Sequence, residues 1–243
     1  MLKQKLYELK LLFRSIPSLV LTLYVLSVIC MNLLANKSIN TYKLSWIALD
    51  CGTLVSWVAF MMMDIIVVRF GARAGTNVAI ITSIINLAVS VLFFVAAKIP
   101  GVWSASFDYS GDIDYALDAT FGGTWYILLG STVAFILGSI VNNCLNSAFG
   151  KCFKNTDTFG KFAVRSYVST IIGQFTDNFV FSAIVSHTFF GWTWVQCVTG
   201  SIVLAVIELV LEIALSPICY KVYNKWEKDN VGYEYLKYIQ ENK

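Results

Sequence analysis

The chain has 243 residues, 57% of them hydrophobic and only 14% charged, with a mean hydropathy of +0.68. Soluble domains carry about 25% charged residues, so a soluble surface cannot be built from this composition. With 3 Pro and 15 Gly the disordered and collagen-like classes are excluded, and a net charge of +3 is too small to argue for a nucleic-acid partner.

Six stretches reach the roughly 20 apolar residues that a bilayer crossing needs. They lie near 16–34, 44–68, 77–97, 124–149, 164–190 and 194–220. The first is too long for a signal-peptide core, and no small-residue cleavage site follows it. The reading is an all-α, polytopic membrane protein with six transmembrane helices, one domain over 1–243. Open sheets are excluded because lipid cannot satisfy their backbone groups.

Lys and Arg set the orientation. Fifteen of the 18 cluster in the amino-terminal segment, the second and fourth connections and the tail. Lys37, Lys43 and Lys98 alone fall on the other side. Basic loops stay inside, so both termini are expected in the cytoplasm and the protein in the plasma (inner) membrane. The third connection, 98–123, faces outward and carries Asp108, Asp112, Asp114 and Asp118; it reads as a solvated external loop. Trp46, Trp103, Trp125, Trp192 and Trp194 fit an outer aromatic belt.

No cofactor or metal is expected. His187 is the single histidine, and Cys30, Cys51, Cys144, Cys152, Cys197 and Cys219 form no CxxC pair. The chain also lacks GxSxG, HExxH and GxxxxGK[ST], so it is not read as an enzyme.

The informative residues are the ones a membrane disfavours. Asp50, Asp64, Asp177, Glu208 and Glu212 lie within the spans, and a central Asp costs about 2.5–3.5 kcal/mol on insertion scales. Such groups face a cavity or one another. Asp64 has a bland reading as well, an interfacial ion pair with Arg69 and Arg73.

Helical spacing arranges the polar groups in stripes: Gly130, Ala134, Gly138, Asn142 and Asn146 in span four, and Ser166, Thr170, Gln174, Asp177 and Phe181 in span five. Glu208 and Glu212 share a face of span six. The small-residue ridge of span four packs two helices of one chain or joins a homodimer. Trp57 is deep enough to stack on a solute.

Four motifs in order carry a family resemblance. ICMNLLANK at 29–37, DIIVVRFG at 64–71, GSIVNNCLNS at 138–147 and RSYVSTIIGQFTDNFVF at 165–181 resemble elements of the queuosine precursor transporters, the vitamin uptake transporter (VUT) family. The resemblance implies a six-helix importer of queuine, queuosine or other 7-deazaguanine bases for tRNA queuosine salvage. Ser139 and Asn178 depart from the family pattern.

A guanine-type edge pairs its ring N–H and amine with one carboxylate. Asp177 is expected to take that edge, with Gln174, Asn142 and Asn146 completing a polar ring. Asp64, Arg165, Trp57 and Phe181 are the further candidate substrate contacts. Glu208 or Glu212 would meet a cationic aminomethyl group or carry a coupling proton. The competing reading is the substrate-binding S component of an energy-coupling-factor transporter. The first span lacks the AxxxA docking pair of such subunits, which favours the stand-alone carrier. A scaffold protein would bind no small molecule at all.

Overall fold

The computed structural model describes residues 2–39, 46, 49–101, 112–122, 125–152 and 158–242. Lys43, Trp103, Asp108, Lys154 and Lys243, and the beginnings proposed for spans two and four, lie outside the described residues. The long helices are α1 (Leu2–Ser15), α2 (Ser18–Leu34), α3 (Thr53–Phe70), α4 (Ala72–Ala96), α5 (Asp112–Gly122), α6 (Trp125–Cys152) and α7 (Phe159–Phe181). A π-helical turn over Ser182–Ser186 leads into the short α8 (His187–Phe190), then α9 (Trp194–Lys228) and α10 (Tyr233–Glu241). Among the described residues, five helices are long and apolar enough to cross a membrane, and α1 with α2 adds a sixth if the bent pair counts as one span.

These helices are built inside out. On α9, Ile202, Val206, Val210 and Ile213 are exposed, while Ser201, Glu208, Glu212 and Ser216 are buried. Water would oppose that arrangement; a lipid surround favours it, because polar side chains there turn toward the bundle interior.

The first span begins at Ser18 rather than residue 16. Pro17 has no N–H to continue the ladder and its ring clashes with the preceding turn, and the chain bends by 103° between α1 and α2. Ile16 N–H still donates to Leu12 O, and Val20 and Leu21 N–H restart the pattern on Pro17 O. α1 therefore folds across the basic end of the bundle beside α10. Tyr7 packs edge-on against Tyr238 with centroids 5.4 Å apart. Glu8 Oε2 pairs with Arg73 Nη2 at 2.6 Å, and Arg69 Nε donates to Val231 O at 3.0 Å.

Arg69 and Arg73 are thus engaged with the terminal segments, and the expected ion pair to Asp64 does not form. Arg69, five residues along α3, stands about 140° round from Asp64, and Arg73 lies beyond the Gly71 turn on α4.

Gly71, at φ 90°, turns the chain between α3 and α4 in one residue. At the other end a two-residue antiparallel pair, Ser38–Ile39 with Leu49–Asp50, fixes the approach to α3. The connection over 98–123, expected to be solvated loop, is not all loop. α5 lies in it and packs on α4 through Phe121 and Phe93, whose centroids are 5.2 Å apart. Asp114 in its first turn suits the positive helix end.

The fifth span is interrupted. Such π turns leave ladder groups to be satisfied otherwise; here Thr188 Oγ1 donates to Ala183 O at 3.3 Å and Cys197 Sγ to Ser182 O at 3.6 Å. In α9, Pro217 cannot donate to Ile213 O, and Ser216 Oγ supplies the missing hydrogen bond at 3.0 Å. A capping box between Thr193 and Gln196 starts α9.

Candidate functional site

The polar side chains meet where α3, α6, α7 and α9 face one another, and they form two layers rather than one ring.

The outer layer, in the half away from the basic end, surrounds a cavity of about 40 Å³. Asp177, Asn178 and Phe181 come to it from α7 and Glu208 from α9. Asn32 of α2, with Asp50, Thr53 and Ser56 at the start of α3, closes the other side. Glu208 is 2% exposed and has both oxygens capped, one by Ser56 Oγ and the other by Asn178 Nδ2 at 3.2 Å. Asp50 Oδ1 accepts from Gly52 N–H at 2.7 Å. Asp177 is half-buried, and no donor among the described residues reaches its carboxyl oxygens. A cavity this small holds a few water molecules and not a bicyclic base.

The inner layer is centred on Asp64, which is 2% exposed. Asn142 and Asn146 stand one turn apart on α6, and Ser166 and Thr170 one turn apart on α7, so each pair presents two donors to the same point. Asp64 Oδ1 accepts from Asn142 Nδ2 and Asn146 Nδ2, each at 3.0 Å. Oδ2 accepts from Thr170 Oγ1 at 2.9 Å and from Ser166 Oγ. Ser166 Oγ also lies 2.6 Å from Glu212 Oε1. Arg165 Nε donates to Asn146 Oδ1, so one amide bridges the cation and the anion.

Two glycines let α6 and α7 close on these groups. A Cβ on Gly138 would lie 2.7 Å from Asp177 Cβ, and one on Gly173 2.7 Å from Asn142 Cβ. Any side chain there would push the two stripes apart.

The structure therefore brings Asp177, Glu208 and Phe181 together outside, and Asp64, Asn142, Asn146, Arg165 and Glu212 together inside. The amides expected beside Asp177 are held by Asp64 instead, because the α6 stripe runs toward the basic end and passes Asp64 of α3 there. Gln174 lies between the layers, fully buried, and neither its amide nitrogen nor its oxygen has a partner among the described residues. Trp57 donates from Nε1 to Leu54 O at 2.9 Å and is outside the cavity lining.

Sequence reasoning missed Ser56 and underrated Asn32 and Asp50. A lone serine in an apolar run carries no signal; Asn32 had one, an amide near the end of a span. A larger cavity, about 420 Å³, is apolar and separate, lined by Leu87, Val91 and Phe94 of α4 with Phe121, Trp125 and Leu129.

Residues 50–222 match the profile of a protein family described as "Putative vitamin uptake transporter". The chain belongs to this family. The matched segment contains α3, α4, α6 and α7 whole and most of α9, hence both polar layers apart from Asn32. No curated protein and no solved structure matches the chain. As a member of the vitamin uptake transporter family it is a multi-pass membrane protein that moves a small-molecule solute through a lipid bilayer.

Proposed function

We propose that this transporter imports queuosine precursors (queuine, queuosine or related 7-deazaguanine bases) across the plasma membrane for tRNA queuosine salvage, with both termini in the cytoplasm. The observation that carries the reading is Asp177, a half-buried carboxylate that no donor among the described residues reaches, at a cavity also lined by the amides Asn32 and Asn178, the hydroxyls Thr53 and Ser56, and the carboxylates Asp50 and Glu208. Its two oxygens suit the paired N–H donors of a guanine-type edge. Asn178 and Asn32 stand beside it for the ring carbonyl and Phe181 for the flat face. Glu208 is already satisfied by Ser56 and Asn178 and acts by holding Asn178 in place.

A bicyclic base needs more room than about 40 Å³, so the conformation described is a closed one. Admitting the solute requires α7 and α9 to part from the start of α3. The π turn next to Phe181 is the natural place for that bend.

Uptake of a labelled panel (queuine, queuosine, both bacterial precursors, biotin and guanine) in cells lacking their own route and any ATPase module tests the proposal. Accumulation of the deazaguanines and not biotin is expected. Biotin uptake alone would replace the substrate, and uptake only with an added ATPase module would make the chain a substrate-binding subunit.

A further inference from the structure

A second role belongs to the inner layer. Asp64 accepts from Asn142, Asn146, Thr170 and Ser166, which saturates it as a carboxylate. Ser166 has one hydroxyl hydrogen, yet its oxygen lies within hydrogen-bonding distance of carboxyl oxygens on both Asp64 and Glu212. One hydrogen cannot serve both. The second contact is made only if a carboxyl O–H donates to the Ser166 oxygen, and Glu212 is the acid with acceptor capacity to spare. Its Oε2 has no partner among the described residues, although Glu212 is 2% exposed.

We propose that Glu212 carries one exchangeable proton and that its passage to Asp64 through Ser166 couples solute movement to a proton gradient. This rests on the carrier reading above, though the proton site itself does not depend on which solute is carried. The transfer balances within three side chains. Glu212 gives its carboxyl proton to the Ser166 oxygen, Ser166 gives its own hydrogen to Asp64, and the products are a Glu212 carboxylate, an unchanged hydroxyl and a neutral Asp64.

Polar side chains flank the pair toward both ends of the bundle. Glu208, at the outer cavity, is one helical turn from Glu212, and Gln174, buried and without a partner among the described residues, stands between the two layers. Toward the basic end, Asn146 links Asp64 to Arg165. The titratable groups that interact with Glu212 are Asp64 of α3 and Cys219 of its own helix, with Arg165 of α7 next to Asp64 and Glu208 one turn away along α9. From α6 the described groups are the amides Asn142 and Asn146.

The test uses the full chain reconstituted in vesicles. Infrared difference spectra at neutral pH are expected to show the carbonyl band of a protonated, water-excluded carboxyl that disappears in Glu212→Gln and survives in Glu227→Gln. An imposed gradient of one pH unit, worth about 1.4 kcal/mol, is expected to concentrate queuine about tenfold. Ser166→Ala, which keeps both acids, should retain the band and lose the gradient-driven accumulation, so the test stands if Glu212→Gln fails to fold. A spectrum without the band, or Ser166→Ala still driven by the gradient, overturns the proposal. A band that behaves as expected with no queuine uptake leaves the proton site standing and removes the deazaguanine reading instead.

Discussion

Asp64 and Glu212 are two deeply buried carboxyl groups that reach one and the same hydroxyl, Ser166 Oγ. They stand on different spans, α3 and α9, and Ser166 on a third. The inner layer is therefore a three-helix junction, with Asn142 and Asn146 bringing in a fourth helix and Arg165 the compensating charge.

Removing one member of that junction strands the rest. Asp64→Leu leaves the buried donors of Asn142, Asn146, Ser166 and Thr170 without their acceptor, and each buried polar group left unsatisfied costs about 1–3 kcal/mol. Thermal unfolding in detergent should show a large loss for Asp64→Leu and for Arg165→Leu. The double variant should lose less than the sum of the two; strict additivity would mean that Asn146 does not couple them.

The α6–α7 seam is sensitive to one carbon atom. Gly138→Ala places a Cβ 2.7 Å from Asp177 Cβ and 2.9 Å from Gly173 O. Overpacking of this kind costs about 1–3 kcal/mol. We expect lower thermal stability together with reduced uptake, because the displaced atom belongs to Asp177. Gly160→Ala, where nothing lies within 4 Å, serves as the control and should change neither.

Ser216 repairs the gap that Pro217 makes in α9. Ser216→Ala leaves Ile213 O without its hydrogen bond and takes a partner from Tyr167, at a cost of about 1 kcal/mol. In a Pro217→Ala background the backbone N–H returns, so the same substitution should cost less. Equal costs in both backgrounds, measured by thermal unfolding, would contradict the repair.

Much of this was legible in the sequence, within limits that have physical causes. Apolar length exposed the spans, and four-residue spacing put Asn142 with Asn146 and Ser166 with Thr170 on common faces. Periodicity names a face but not the helix that covers it. Asp64 therefore read equally well as a partner of Arg69, whose side chain leaves from another side of α3. Pro17 was visible, but not that its bend would lay α1 over the basic end. The acidic stretch at 112–122 looked like solvated loop because its charges outweighed Ala116, Leu117 and Phe121, which give α5 its apolar side.

Binding of queuine to the purified, full-length protein by calorimetry, wild type against Asp177→Asn, tests the central claim most directly. The account predicts measurable binding to the wild type, weakened about tenfold or more by the substitution, the worth of a charge-assisted hydrogen bond. Equal affinity in a correctly folded Asp177→Asn variant would contradict it.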